Sequence, residues 1–350
     1  MTKNSVYRRI MERYSLVLIL VVFMLACSFL NETFMTKTNM LNVLRQQSVI
    51  IILAIGEMIL IISGMLDLSA GSVLALSGVL SVSTFKATGS MPLAIGVGIG
   101  VAVFCNIING IMITFYKAPP FIATLAMQAV ARGAVLFYCS GVNIYRIGDF
   151  VVIGQGSFLG IPNPVFILIA VVAVMVFVMR NTRFGRSVYA VGGNEEAANA
   201  AGISVHGVKM RAFIINGVLV GIAGIIFMSR VNGGVPNGGM NYEFDALTAT
   251  IIGGTSFSGG TGTVFGTVIG AFLVGFLNNI MNLLSINSYV QQMVRGTIIA
   301  IAVIWDIYSK KQKTYSVKNT RPGKDDKAGK VPTATGIAIG ITLMSLFADF

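Results

Sequence analysis

Residues 180–211 read RNTRFGRSVYAVGGNEEAANAAGISVHGVKMR, the longest polar interruption in the body of a very apolar chain. The middle of the stretch is written as a short helix. Asn194 is a strong N-cap, and Glu195 and Glu196 fill the first turn, where the helix dipole favours acids. Ala197, Ala198 and the residues to Ala201 are small helix formers, and Gly202 supplies the stop. A helix of about two turns does not hold by itself, so the segment is either a solvated loop or a piece that docks into something. Gly192 and Gly193 are expected to form a sharp or mobile turn ahead of it. Basic residues flank both sides.

Working outward, the chain is membrane protein on either side. Its 350 residues have a mean hydropathy of +0.82 with only 11% charged, and apolar runs recur at the length that crosses a bilayer as helix. The fold class is all-α, a polytopic helical membrane protein of about ten transmembrane helices. The net charge of +12 does not mark a nucleic-acid binder. Its basic residues crowd at Lys3–Arg13, in 180–211, and from Lys310 to Lys330, all beside spans, the signature of a cytoplasmic face.

Residues 1–14 are then a cytoplasmic N-terminus, without the small-residue cleavage site of a signal peptide. The membrane domain covers 15–308. Six spans precede the central loop: Ser15–Leu30, Gln47–Gly64, Leu68–Phe85, Pro92–Thr114, Phe121–Cys139 and Pro164–Met179. An even number returns the loop to the cytoplasm, which the charge rule demands independently. After it come Val208–Met228, a short glycine-broken piece at Phe244–Ile252, Thr263–Leu284 and Ser288–Ile307. Counting the short piece as a crossing keeps the basic tail cytoplasmic. The tail, 309–350, is polar and expected to be disordered to Lys330, with an apolar end at 334–350 that is a further span or an interfacial segment.

Chemistry-bearing residues are sparse. Three cysteines lie within apolar runs and there is one histidine, so no metal site is expected. GGTSFSGGTG at 253–262 lacks the Gly-Lys-Ser/Thr end of a phosphate cradle and reads as broken backbone, lining a cavity or buried in protein. Glycines four apart, as at Gly217 and Gly221, suit close helix packing. Inside spans, Glu57, Arg132 and Arg295 should face protein or water. Asp67, in GMLDLSAGS, is placed to cap the next helix. Asn106 with Asn109, and Asn278 with Asn282, each share a helix face. With Asp67 they are candidates for a translocation path, and equally for helix–helix glue. No carboxylate pair, Ser/His/Asp set or metal cluster is evident, so an enzyme is not expected.

Taken together, GMLDLSAGS, KAPPFIATLAM, FGRSVYAVGGNEEAANAAGISVHGVKM, GGTSFSGGTGTVFGTVIGAFLVGFLNNIMNLL and SYVQQMVRGTIIAIAVIWD resemble the permease subunit of a bacterial ribose-type sugar importer, in the branched-chain and ribose permease family. The resemblance covers about Ser15 to Ser309. It departs at Met65, where a second glycine is common, and at 334–350, which has no counterpart. It implies an inner-membrane, multi-pass subunit that binds no cofactor and works with an ATP-binding cassette subunit that uses ATP. A periplasmic solute-binding protein and a second permease, identical or paralogous, complete the assembly. It further implies that Gly192, Gly193, Asn194, Glu195, Glu196, Ala197, Ala198 and Gly202 couple the permease to the ATPase. The competing class is an ion-coupled secondary transporter acting through Glu57 or Asp67.

Overall fold

A computed structural model describes the chain from Lys3 to Asn319, and its side chains from Ser15 to Ile304. The helices, in order, are α1 (Lys3–Leu30), α2 (Lys37–Ile62), α3 (Ala70–Thr88), α4 (Met91–Thr114), α5 (Pro120–Tyr138), the single turn α6 (Val152–Gln155), α7 (Asn163–Asn181), α8 (Arg183–Gly193), α9 (Glu195–Ala200), α10 (Val205–Arg230), α11 (Tyr242–Ile252), α12 (Val264–Leu283) and α13 (Ser288–Asn319). A two-residue hairpin, β1 (Ser157–Phe158) with β2 (Ile161–Pro162), closes the link before α7. Among the described residues seven helices, α2–α5, α7, α10 and α12, are long and apolar enough to cross a membrane; Ser15–Leu30 and Ser288–Ile304 are shorter apolar helical stretches.

The chain divides into two compact units, 36–275 and a smaller one of 1–35 with 276–350. In the larger unit α2 is the central helix. Its run from Gln47 to Ile62 is apolar nearly all round and buried throughout, the pattern of a helix surrounded by others. Against it pack α10, α11 and α7, while α10 also lies along α3 and α4. Helix α10 approaches its neighbours to backbone contact. A Cβ on Gly217 would stand 2.7 Å from the Val103 Cα, one on Gly221 2.8 Å from the Ile99 Cα, and one on Gly224 2.6 Å from the Leu74 carbonyl oxygen. Without a hydrophobic drive between helices in lipid, such contact is what dispersion requires. In the smaller unit the Asn31 amide donates to the Leu283 carbonyl at 3.5 Å, and Phe34 meets Phe276 edge to face at 5.7 Å.

Several boundaries differ from the sequence expectation, each for a local reason. Residues 183–193 are helix, not loop, because Phe184, Val188 and Val191 recur on one face. Gly192 and Gly193 are therefore the last turn of α8 and not a flexible turn, and α9 stops at Ala200, one residue early. Helix α2 starts at Lys37, where Thr36 accepts a bond from the Asn39 amide, so ten residues expected outside the span are helical. Helix α13 continues through the basic stretch to Asn319, where a disordered tail was expected; lysine and glutamine are good helix formers and no proline intervenes before Pro322. The apolar end at 334–350 lies outside the described residues.

Candidate functional site

The turn between α2 and α3 gathers polar groups from four elements into the centre of the larger unit. Glu57, on α2, is 2% exposed, and its carboxylate accepts the Asp67 amide at 3.1 and 3.3 Å. Asp67 is 1% exposed. One of its oxygens takes the Ser69 amide at 2.8 Å together with the Ser69 hydroxyl, and the other takes the Asn216 amide of α10 at 2.8 Å. Asn216 also donates to Asn106 of α4 at 2.9 Å, and Asn109, one turn further along α4, donates to the Ser69 hydroxyl at 3.0 Å and to Asp67 at 3.5 Å.

This arrangement corrects one expectation. The N-cap of α3 is Ser69, so Asp67 folds the preceding turn and bonds to a second helix 149 residues away. Glu57 meets Asp67 through the Asp67 backbone amide, a contact that its sequence position did not announce. Burying these groups is tolerable because nearly every polar atom is paired; the Asn109 side-chain oxygen alone in the hub has no partner.

A second polar node lies between α5, α11 and the segment 231–241. Gln128 donates to the Glu243 carboxylate at 3.0 Å, and Arg132 donates to the carbonyls of Pro236 and Gly238. An intramembrane arginine thus faces protein, as its desolvation cost demands.

Of the other candidate path residues, Asn278 and Asn282 belong to the smaller unit. There Asn278 accepts from Arg295 at 3.2 Å and Asn282 from Gln291 at 2.9 Å, both within the α12–α13 pair. The structure therefore brings Asp67, Asn106 and Asn109 into one network, and holds Asn278 and Asn282 in separate bonds between α12 and α13.

The segment 183–202 is built as a bracket. The Asn194 side chain accepts the Ala197 amide at 2.8 Å, capping α9, and Gly202 leaves the helix at φ +80°, a conformation that disfavours any side chain. Glu195 pairs with Lys209 at 2.7 Å. Glu196, Ala197 and Asn199 are exposed, whereas Ala198 points inward and is buried. Gly192 is where the bracket meets the membrane body. A Cβ there would lie 1.5 Å from the Ile62 carbonyl oxygen and 2.8 Å from the Gly260 nitrogen. That same Gly260 amide donates to the Ile62 carbonyl at 2.9 Å, at the end of α2. Tyr189 adds a bond from its hydroxyl to the Gly262 carbonyl at 2.9 Å, and burial pushes this phenol above its ordinary range. The glycine loop 253–262 is thus broken backbone buried against protein, its freed groups satisfied by Ile62 and by turns within the loop. Sequence reading missed this joint, because one glycine required for close approach looks like one required for a turn.

Apolar spans closed around a hydrogen-bonded polar hub, with a capped helix carried between two of them, define a polytopic helical membrane protein. Comparison with known proteins sharpens this. Residues 39–303 match the family described as branched-chain amino acid transport system / permease component, and the chain belongs to that family. It is similar to the ribose import permease protein RbsC of Haemophilus influenzae, 40% identical over 294 residues that cover 83% of this chain and 91% of that one. RbsC of Bacillus subtilis is 40% identical over 300 residues, covering 85% and 93%. The L-arabinose transport system permease protein AraH of Escherichia coli is 33% identical over 308 residues, covering 88% and 94%.

Proposed function

We propose that this chain is the membrane-spanning subunit of an ATP-driven importer that carries a monosaccharide, a pentose first among the candidates, across the inner membrane. Relatives named for ribose and for L-arabinose, matched over more than four-fifths of the chain, favour a sugar over the amino acids in the family's description. The observation that carries the ATP-driven reading is the bracket at 183–202. It offers an exposed face with Glu195 and Glu196 at the positive end of α9, while Gly192 and Ala198 lock its other face to the body. An ATP-binding cassette subunit with a basic groove would take that face, and ATP is used there, this chain holding no cofactor.

In this reading the seven long spans, Ser15–Leu30, Ser288–Ile304 and the short α11 together make about ten crossings, with a cytoplasmic N-terminus. Gly193 to Gly202 face the ATPase, and a periplasmic solute-binding protein delivers the sugar to a pair of permeases, identical or paralogous. Asp67, Asn106 and Asn109 shape the path from behind, since all their side-chain hydrogen bonds run within the protein and only the Asn109 oxygen lacks a partner. Asn278 and Asn282 contribute from the α12–α13 pair. Ion coupling through Asp67 is less well supported, because both of its oxygens already accept protein donors.

The test is uptake of labelled ribose and L-arabinose into proteoliposomes holding this chain, its ATPase and its binding protein. ATP-dependent uptake that survives ionophores is expected. Uptake without ATP that collapses with an ionophore would overturn the proposal in favour of ion coupling.

A further inference from the structure

Away from the polar hub, a cavity of about 310 Å³ opens between the second and third turns of α2, the end of α10 and the turn α6, lined by Asn42, Arg45, Gln46, Gln155 and Arg230. Two guanidinium groups share it. The Nε of Arg45 and the Nε of Arg230 are both buried with no hydrogen-bond acceptor. Neither arginine has a carboxylate partner among the described residues. Arg45 donates only to the Asn42 side chain at 3.5 Å, and Arg230 to the Tyr242 hydroxyl at 3.3 Å. Two like charges beside one small cavity, without a carboxylate between them, are unfavourable unless an anion joins them.

The cavity is prepared rather than collapsed. Arg230 stacks over the Phe227 ring at 5.4 Å, and its carbonyl is held by the Gln155 side chain at 3.0 Å, which brings that amide to the rim. The lining offers donors alone from the arginines and donors from three amides, more than the two oxygens of a carboxylate can use. A tetrahedral oxyanion, with its several acceptors and full charge, fits better. Its place along the helices points the same way. Arg45 stands in the third turn of α2, two residues before the buried apolar run that begins at Gln47, and Arg230 is the last residue of α10. Arginines that border apolar runs can reach the phosphate groups of a bilayer.

We infer that Arg45 and Arg230 form a phosphate-binding site, filled by a phospholipid headgroup or by soluble phosphate. The site is independent of the transported solute and of the ATP-driven reading.

The full chain is purified in a phosphate-free maltoside detergent and stripped of lipid. Thermal unfolding is then followed with phosphatidylglycerol, with a neutral diacylglycerol glycolipid, or with inorganic phosphate, for the wild type and for Arg45→Gln/Arg230→Gln. Stabilisation of the wild type by phosphatidylglycerol beyond the glycolipid, weakened roughly tenfold or more in apparent affinity by the double substitution, establishes the site with lipid as source. The same pattern with inorganic phosphate names the soluble source. Should the double variant not fold, ³¹P line broadening of inorganic phosphate by the wild type, and phospholipid retained in native mass spectra, replace it. Overturning results are a wild type that responds equally to glycolipid and phosphatidylglycerol and not at all to phosphate, or a double variant with undiminished response.

Discussion

The Asp67 hub and the bracket at 183–202 are both polar insertions into an apolar protein, and they resolve their polarity in opposite ways. The hub closes on itself. Glu57, Asp67, Ser69, Asn106, Asn109 and Asn216 donate to and accept from one another, at 2% exposure or less for each. The bracket closes on one side only. Gly192 and Ala198 press against the body, while Glu196, Ala197 and Asn199 remain in solvent. A closed network fixes the relative positions of α2, α3, α4 and α10; a half-closed one has a face left to give away. Substitutions in the two should therefore differ in kind as well as in size.

The largest effect is expected in the hub. Asp67→Ala strips the acceptor from the Ser69 amide and from Asn216, leaving buried donors at a cost of about 1–3 kcal/mol each. Asp67→Asn keeps the shape and one acceptor oxygen, and should cost about half as much. Thermal unfolding of the purified protein, with membrane abundance alongside, measures both. A loss for Asp67→Ala of only about 1 kcal/mol would leave Asp67 worth no more than a single ordinary hydrogen bond and dissolve the contrast between hub and bracket.

The second test addresses the bracket's fixed side. Gly192→Ala places a methyl group against the Ile62 carbonyl and the Gly260 amide, both backbone, so neither can yield cheaply. Overpacking of that kind costs about 1–3 kcal/mol, and the strain falls on the joint between α8 and the end of α2. Gly193→Ala is the internal control, since nothing lies within 4 Å of its Cβ position. In a helix the added methyl should be neutral or stabilising by up to about 1 kcal/mol. The unfolding midpoint should fall clearly for position 192 and stay at or above the wild-type value for 193. Equal behaviour of the two would mean that the bracket is not held at Gly192.

These two regions were unequally legible in the sequence. The membrane body was readable, because a run of about twenty apolar residues admits one low-cost backbone in lipid. The cap and stop of α9 were readable, because Asn194 and Gly202 act within three residues of where they stand. Helix α8 was hidden by its own basic residues: Arg183 and Arg186 suggested loop, although Phe184, Val188 and Val191 carried the helical period. The hub was readable only as a list of polar residues. Asp67 meets Asn216 across 149 residues and Asn109 across 42, and neither spacing leaves a local trace. Gly192 was misread for a related reason. Its need is set by Ile62, a residue 130 positions earlier, and not by its own backbone angles.

The smallest effect on the protein itself is expected at the bracket's open face, and there the contrast is sharpest. Glu195 is half-exposed and its pair with Lys209 is of the surface kind, worth roughly 0–1 kcal/mol before screening by salt. Glu196 is exposed on the same turn. Replacing both by glutamine removes two charges from the N-terminal end of α9 but leaves its Asn194 cap, the buried Ala198 and the Gly192 joint untouched. The unfolding midpoint of the purified chain should barely move. Ala198→Trp is no substitute for this test, since bulk at an inward-facing position would disturb the core before it met any partner. If the open face is where an ATPase subunit docks, the Glu195→Gln/Glu196→Gln variant should lose association with that subunit during co-purification, and the loss should deepen with added salt. Undiminished association across a salt series would leave the open face without a charged partner, and the bracket would then be a structural clamp on α2 alone.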